Sequence, residues 1–517
     1  MSPKNTIKTL ARIFPNFRHE VFWPAFTLLI GALAYSSIDE KSFFDTTVQI
    51  NNFIIDKFGW LFSGGTLLMF LTCTALYFHP ISSKKIGGEK AIPLLSKWQW
   101  FSIVLCTTIA TGIIFWGTAE PIFHITSPPR FSGLATNSAA TGSFAMSVMY
   151  LHWSFTPYAI YTVPAVAFAI AFYNKQLPFS LQSTLFPLVG SIKHKTLGAG
   201  IDTICLYSLV AGMAASLGAG ILTLSGGFRY LFDWNADGLL VLLTLAIVAC
   251  FILSAISGLM KGIRILSDIN TKIFVVLALY ILLTSDIPAI LGLSMEGLWL
   301  YIKGFFEYST LSILYPDDPW PKSWTTFNWA NWLAWAPITA MFLGRLSYGY
   351  TIRQFLVFNW VIPSLFGMIW MSVFSGTAID LFLNQGINLG EVLSQKGPEA
   401  IIFQVFESVP MSRIIAGVFL FTAFLSYVTA ADSNTEAMSG ISSTGISPSS
   451  PSPSIGIKII WGLTIGAVAF VMVKLAGIGG IKMLSNLGGL PALFLIVAIN
   501  IGLIKLLFFS KGNNIDT

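Results

Sequence analysis

The stretch Phe115-Trp116-Gly117-Thr118-Ala119-Glu120-Pro121 closes an apolar run that begins at residue 98. If this run crosses a bilayer, it carries a carboxylate to membrane depth, at a cost of about 2.5–3.5 kcal/mol on insertion scales. Glycine and proline weaken a helix at the same place. Broken helices persist in membranes where they line a cavity or are buried in protein, and transporter binding sites are typically built from them. Gly117, Glu120 and Pro121 are therefore predicted to mark a broken helix at a functional site. The alternative for Glu120 is an interfacial cap or a helix-packing partner.

The composition around this stretch is that of a polytopic membrane protein. The chain has 517 residues, of which 55% are hydrophobic and 10% are charged, whereas an ordinary soluble domain is about 25% charged. So few charges cannot cover a soluble protein of this size, which excludes a soluble enzyme, a nucleic-acid-binding module and a disordered scaffold. The net charge of +6 is assigned to cytoplasmic loops rich in Lys and Arg. The predicted partner is the lipid bilayer, with no nucleic acid.

Twelve stretches are long and apolar enough to span a bilayer core, which needs about 20 helical residues. Their positions predict an all-α fold with twelve transmembrane helices. They are 21–36, 59–78, 98–117, 142–172, 197–222, 237–257, 270–291, 329–348, 355–375, 412–431, 458–475 and 484–508.

Twelve spans place both termini on one side of the membrane, and the basic residues favour the cytoplasm. With the N-terminus inside, 18 of the 29 Lys and Arg residues fall in inner segments, 10 fall in outer segments, and Lys272 lies within a span. The positive-inside rule then predicts a multi-pass protein of the inner membrane, with a cytoplasmic N-terminal segment at 1–20 and a cytoplasmic tail at 509–517. The alternative for residues 21–36 is a signal peptide.

Two further segments are predicted not to span the membrane. Residues 295–309 are apolar at helical spacing and predict a helix that lies along the outer membrane surface. Residues 447–454, SPSSPSPS, predict an irregular inner linker. The four cysteines lie in apolar runs without metal-site spacing, so neither a metal nor a cofactor is predicted.

Aromatic residues cluster inside two of the spans. Trp153, Tyr158 and Tyr161 occur in the fourth span, and Trp332 and Trp335 in the eighth, about 60° apart on one helix face. Five other tryptophans are assigned to the membrane interface, namely Trp98, Trp100, Trp299, Trp320 and Trp324. Ring faces attract cations, and a quaternary ammonium is best held by a cage of such rings. From this pattern alone, both a cation-binding cage and simple aromatic packing remain open.

Several ordered motifs resemble the betaine/choline/carnitine transporter (BCCT) family, and together they extend over most of the chain. They are WGTAEP at 116–121 followed by His124, His152-Trp153 with Tyr161, LPFS at 177–180 leading to PLVG at 187–190, SLGAG at 216–220, WLAWAP at 332–337 with MFLGR at 341–345, Gly349 with TIR at 351–353, and TAADS at 429–433.

This resemblance implies a LeuT-like fold of two inverted five-helix repeats, preceded by two extra helices at 21–78. The transporter domain would cover 21–508, with the first repeat at 98–291 and the second at 329–508. A small cationic or zwitterionic solute would bind between spans 3, 4, 8 and 10 and move by alternating access. Members of this family commonly form trimers, so a homotrimer is the expected assembly.

By position, the resemblance assigns an aromatic box to Trp153, Tyr158, Tyr161, Trp332 and Trp335. The chain departs from the family at two places in this box, because Asn331 and Tyr158 stand where close relatives have tryptophan. The hydrogen-bonding group of Asn331 would suit a solute with a carboxylate, a hydroxyl or a partly methylated amine. In relatives, a stretch of span 3 usually reads Gly-x-Gly-x-Gly, and its backbone is expected to hold an anionic group. This chain keeps only Gly112 in that stretch, so the expected backbone site is altered.

The residues expected to coordinate sodium are largely missing. Hard cations prefer oxygen ligands, yet Thr429 is followed by Ala430 in span 10, and Leu209 and Met213 replace threonines in span 5. Exchangers of this family that do not use Na⁺ also lack these ligands. Lys272 could supply a fixed ammonium near a vacated site, the alternative being a lysine that reaches the inner surface.

The sequence therefore predicts a secondary transporter of betaine-, choline- or carnitine-type solutes, with Na⁺-independent exchange favoured over Na⁺ symport. The alternative within the family is a Na⁺- or H⁺-coupled symporter of a less methylated amine or an amino-acid-like solute. A passive channel and an intramembrane enzyme are more distant alternatives. For an enzyme, the sequence lacks an HExxH pair and a GxSxG elbow.

Overall fold

The computed structural model describes residues 17–108, 110–190, 195–234, 238–256, 260–444 and 453–509. In this part of the chain the regular structure is helical, with isolated β-bridges between Phe17 and Ser443 and between Lys85 and Thr351. The predicted all-α class is thus confirmed. The N-terminal segment up to residue 16, most of the predicted linker at 447–454 and the tail from residue 510 lie outside the described residues.

We number the longer helices α1 to α14 in chain order. They are α1 His19–Ile38, α2 Glu40–Phe78, α3 Lys97–Thr108, α4 Ala110–Thr126, α5 Ala139–Trp153, α6 Phe155–Ala169, α7 Lys195–Phe232, α8 Leu239–Ile256, α9 Met260–Thr284, α10 Ile287–Ser309, α11 Phe327–Leu346, α12 Ile362–Leu383, α13 Ser412–Ile441 and α14 Ile455–Ile504. Short helices at Phe186–Val189, Leu311–Leu314, Ile352–Leu356, Leu389–Lys396 and Ile401–Glu407 connect some of them.

Among the described residues, nine helices are long and apolar enough to cross a membrane, or ten if the bent pair α3 and α4 forms one crossing. Each of the twelve predicted spans falls on a helix, so the twelve-span topology is consistent with this architecture. The structure corrects one boundary, because the seventh predicted span runs past Ser285, where α9 has ended. The proposed division into repeats stays a prediction.

The third span is broken, but not where the sequence suggests. The break separates α3 from α4 before Gly112, while Gly117 and Pro121 both lie within α4. Proline has no N–H to bond the carbonyl four residues earlier, which here belongs to Gly117. Ser375 of α12 donates its hydroxyl to that carbonyl at 2.5 Å. The neighbouring helix therefore satisfies the group that Pro121 leaves open, and α4 continues.

The fourth span is also interrupted, at Ser154, which separates α5 from α6. Ser154 has φ −127° and ψ −122°, outside the helical region. Pro157 follows three residues later, and in a continuous helix its ring would clash with the carbonyl of Trp153, which favours a break at this point. Trp153 therefore ends one helix, while Tyr158 and Tyr161 lie in the first two turns of the next.

The last two predicted spans form the single bent helix α14. The bend lies at Gly477, whose φ of +50° and ψ of −124° are non-helical and are strained for a residue with a Cβ. Lys482, expected in an outer loop, lies in the helical segment after this bend.

In α10, Met295, Trp299 and Phe306 are exposed while Tyr301 is buried, so the predicted surface helix 295–309 is one-sided. This segment does not form a separate helix, because α10 starts at Ile287 and is one of the nine described helices that are long and apolar enough to cross a membrane. Its position along the membrane surface stays a prediction.

Candidate functional site

Four of the predicted aromatic residues meet around Trp332. Its ring centroid lies 5.0 Å from that of Tyr161, 5.4 Å from Tyr158 and 5.9 Å from Trp153. The ring planes are tilted by 49–62°, so they meet as walls instead of stacking. All four side chains are at most 2% exposed. We call Trp153, Tyr158, Tyr161 and Trp332 the aromatic box.

The helix packing explains why these residues converge. α11, which carries Trp332, packs against α6, and α6 in turn follows α5 across the break at Ser154. Within the described residues, the indole Nε1 of Trp332 is buried and has no hydrogen-bond acceptor. An indole N–H of this kind usually bonds a partner when buried. The box therefore offers ring faces together with this free indole donor.

Gly112 makes room for one wall of the box. A Cβ added to Gly112 would lie 2.4 Å from Cζ3 and 2.7 Å from Cη2 of Trp153, much closer than carbon atoms pack. The Trp153 indole therefore lies directly over the backbone at residue 112. This contact supplies a physical reason for the one glycine that remains in the altered stretch of span 3.

Glu120 fixes the orientation of Trp153. Its carboxylate is fully buried and accepts a hydrogen bond from Nε1 of Trp153 at 2.8 Å. It also bonds Nδ1 of His152 at 2.6 Å, Nε2 of His124 at 3.3 Å and the side-chain amide of Asn328 at 3.5 Å. Glu120 thereby joins α4, α5 and α11 beside the aromatic box, and a buried carboxylate needs several such partners.

The same carboxylate and two histidines are the residue types of a metal site. Glu120, His124 and His152 each place one ligand atom within 4.8 Å of the others. These atoms already bond one another, and the second nitrogen of His152 lies 3.2 Å from the Thr325 hydroxyl. A metal would have to replace those bonds, so we interpret the cluster as a hydrogen-bond network that positions Trp153.

Two predicted members of the box point elsewhere. The Trp335 indole donates to the Ser216 hydroxyl of α7 at 3.1 Å, and it makes no ring contact with the described residues of the box. The side-chain oxygen of Asn331 accepts from Ser485 of α14 at 3.0 Å. Successive helical residues differ by about 100°, so Asn331 faces α14 while Trp332 faces α6.

Trp335 lines a small cavity next to the positions where the resemblance places sodium ligands. The cavity is lined by Met213, Ser216, Leu217, Phe251, Trp335, Tyr427, Ala430, Ala431 and Ile465. This lining contains no carboxylate, and the Ser216 oxygen already accepts from Trp335. Thr429 donates to the carbonyls of Leu425 and Ser426 in its own helix. This donor set does not fit Na⁺, which requires several oxygen ligands.

Lys272 lies apart from this cavity. Its side chain is 62% exposed and pairs with Asp268 one turn earlier on α9, at 2.7 Å. An exposed lysine with a local partner does not supply a fixed charge to buried Met213 and Thr429. The structure thus favours the alternative, in which Lys272 reaches the surface.

Several residues near the site differ from their predicted environment. Trp100, Trp320 and Trp324, predicted to lie at the membrane interface, are buried inside the protein at 0%, 5% and 6% exposure. Trp98 and Trp299 are exposed, as an interfacial role requires.

No sequence pattern indicates Asn328 or the contact between Trp324 and Lys482. The first comes from helix α11 and the second from the bend in α14, which spacing does not reveal.

Known proteins are similar in sequence to this chain over nearly its full length. Residues 20–511 match the family model described as "BCCT, betaine/carnitine/choline family transporter". The glycine betaine transporter OpuD of Bacillus subtilis is 30% identical, covering 91% of each chain. The osmo-independent choline transporter BetT1 of Acinetobacter baylyi is 28% identical, covering 94% of this chain and 93% of its own.

A solved structure of a Na⁺-coupled sialic acid symporter in an outward-open state is also similar. It covers 89% of this chain and 87% of its own, with a TM-score of 0.48 and 15% sequence identity. The family match and the curated relatives agree with the motifs that first suggest the resemblance. The chain therefore belongs to the betaine/carnitine/choline transporter family, a family of membrane transporters and not of enzymes.

Proposed function

We propose that this chain exchanges quaternary-ammonium or related zwitterionic solutes across the membrane without sodium, binding them in the aromatic box. The observation that carries the proposal is the arrangement of three rings around Trp332 at 5.0–5.9 Å. A methylated ammonium cannot donate an N–H bond, so ring faces are its best partners, and a cation within about 6 Å of a ring centroid is attracted.

The free Nε1 of Trp332 supports a solute that also has an acceptor group. A carboxylate or hydroxyl on the solute could accept from this indole, which has no other acceptor among the described residues. Glycine betaine and carnitine carry a trimethylammonium group and a carboxylate, which is a stronger acceptor than the hydroxyl of choline. The relatives named above transport glycine betaine and choline. The zwitterionic members of this class therefore match the box most fully.

The apolar cavity beside Trp335 supports independence from sodium. Met213 and Ala430 line it, and the Thr429 hydroxyl is bonded within its own helix. Desolvating Na⁺ without replacing its oxygen ligands is costly. Exchange of one solute for another needs no coupling ion, and therefore fits a transporter that has Leu209, Met213 and Ala430 where the resemblance places sodium ligands.

Counterflow in proteoliposomes tests the role of the box. Vesicles loaded with unlabelled glycine betaine should take up labelled glycine betaine in the wild-type protein. Trp332→Ala removes the ring that touches the other three, and it should reduce this exchange at least tenfold while the protein still inserts. Trp299→Ala is the matched control, because Trp299 is 64% exposed on α10, and it should exchange normally. Normal exchange by Trp332→Ala would refute the box.

The same vesicles test the coupling. We expect the exchange rate to be unchanged when sodium is replaced by potassium on both sides, and net uptake without internal solute to be low. A steep dependence on a sodium gradient would show symport and would contradict the proposed exchange. Uptake driven by a proton gradient would instead support the H⁺-coupled alternative.

The assembly and the orientation belong to the same proposal. We propose a homotrimer in the inner membrane with both termini in the cytoplasm, as the basic residues and the family resemblance suggest. Labelling of cysteines introduced near residue 18 and after Gly477 would test the orientation. The residue near Arg18 should react only with a membrane-permeant reagent in intact cells.

A further inference from the structure

The segment of α14 after the bend carries an ammonium group into a cluster of aromatic rings. Nζ of Lys482 lies 3.5 Å from the ring centroid of Trp324, 5.0 Å from Phe327 and 5.9 Å from Trp116. It also donates to the backbone carbonyl of Ser323 at 3.1 Å. We call Trp116, Trp324 and Phe327 the clamp, since their faces hold the ammonium by cation–π attraction.

The clamp adjoins the aromatic box. Phe327 precedes Trp332 by five residues on α11, which corresponds to about 7.5 Å along the helix axis. Trp116 lies one turn before Glu120 on α4, and Glu120 binds the Trp153 wall of the box. The clamp rings are buried, whereas Lys482 is partly exposed. The ammonium therefore lies near the surface at the N-terminal end of α11, the helix that carries Trp332 of the box.

The charge of Lys482 has no carboxylate partner at ion-pair distance among the described residues. Other lysines differ in this respect, since Lys272, Lys322 and Lys474 each pair with a carboxylate. The Glu120 carboxylate interacts electrostatically with Lys482 without forming an ion pair, and its hydrogen bonds go to Trp153, two histidines and an asparagine. Ring faces and one carbonyl hold the lysine in place without neutralising it, so its charge remains available to an approaching solute.

We propose that Lys482 makes this transporter favour zwitterionic solutes over solutes with a net positive charge. The inference rests on the proposed function, because it concerns solutes that enter the aromatic box. The fixed ammonium repels a cation such as choline as it approaches the box, and it attracts the carboxylate of a zwitterion such as glycine betaine. Near a protein surface, unit charges several ångströms apart interact strongly enough to change affinity about tenfold.

Competition in the counterflow assay measures this preference. We would determine the half-saturation constant for labelled glycine betaine and the inhibition constant for choline, with equal ions on both sides of the membrane. Lys482→Met keeps most of the length of the side chain and removes its charge. It should lower the ratio of the choline constant to the betaine constant about tenfold. Lys482→Arg keeps the charge and should retain the wild-type ratio, and Lys482→Glu should lower it further.

Lys474→Met is the matched control, because Lys474 lies on the same helix, is 58% exposed and pairs with Glu40. It should leave the ratio unchanged. If Lys482 only packs the clamp, Lys482→Met will alter both constants in the same direction and leave their ratio unchanged, which would overturn the inference. If Lys482→Met does not insert, Lys482→Gln, which can still donate to the Ser323 carbonyl, provides the same comparison.

The failure of this inference differs from a failure of the proposed function. A wild-type protein that exchanges neither glycine betaine nor any other quaternary ammonium solute would refute the proposed function itself. A wild-type protein that exchanges glycine betaine, with the same choline-to-betaine ratio in Lys482→Met, Lys482→Arg and Lys482→Glu, would refute the role of Lys482 alone.

Discussion

At the scale of single residues, the aromatic box depends on the absence of a side chain as much as on its rings. Trp153 lies over Gly112, where an added Cβ would be 2.4 Å from the indole. Gly112→Ala should therefore displace the Trp153 ring, with an overpacking cost of about 1–3 kcal/mol. We expect it to raise the half-saturation constant for glycine betaine several-fold, measured by counterflow in proteoliposomes.

Gly64→Ala provides the comparison for this change. Gly64 lies inside α2, and a Cβ there would have no atom within 4 Å. Alanine in a helix is favoured over glycine by about 1 kcal/mol, so this variant should be equally or more stable and should transport normally. Equal half-saturation constants for Gly112→Ala and the wild type would show that the ring does not need its observed position.

At the scale of helices, α4 and α12 are joined where a proline would otherwise leave a carbonyl unbonded. Ser375→Ala removes the donor to the Gly117 carbonyl, and a buried acceptor left unsatisfied costs about 1–3 kcal/mol. Pro121→Ala restores a backbone N–H that can bond the same carbonyl. We therefore expect Ser375→Ala to lower the thermal stability of the purified protein clearly in the wild-type background and only slightly in Pro121→Ala.

Ser364→Ala is a matched control on the same helix. Ser364 donates to the Trp360 carbonyl one turn earlier, at 2.6 Å, so it relieves no proline and should change stability little in either background. If Ser375→Ala is equally destabilising with and without Pro121, the serine does not compensate for the proline.

The helices are well predicted from the sequence because an apolar run of about 20 residues matches the thickness of a bilayer core. Pattern also finds the four residues of the box, since aromatic residues deep in a span are unusual. It does not find the direction in which each side chain points after a break. Nor does it find which residues of the unbroken helix α11 join the box, since Asn331 faces α14 and Trp335 donates to Ser216. The bend at Gly477 precedes the helical segment that places Lys482 against Trp324. Continuous helical geometry therefore predicts the membership of the site only in part.

At the scale of the whole molecule, an ion pair ties three distant parts of the chain together at one end of the bundle. Arg18, before α1, donates to the fully buried Asp202 of α7 at 2.8 Å and to the Ile441 carbonyl at the end of α13 at 3.1 Å. Its backbone N–H also bonds the Ser442 carbonyl, and Ser180 donates to both oxygens of Asp202. Movement of α1 or α13 at this end would have to break these bonds.

Removing one partner of this pair should cost more than removing both. Arg18→Gln leaves the Asp202 charge buried without its cation, a loss of about 3–5 kcal/mol, and it should lower the thermal unfolding temperature of the purified protein strongly. Adding Asp202→Asn removes the unpaired charge and should recover part of the loss. Lys322→Met breaks the exposed pair with Asp56 and should cost at most about 1 kcal/mol. If the double variant loses as much as the two single losses combined, Arg18 and Asp202 act independently, and the pair does not hold this end of the bundle together.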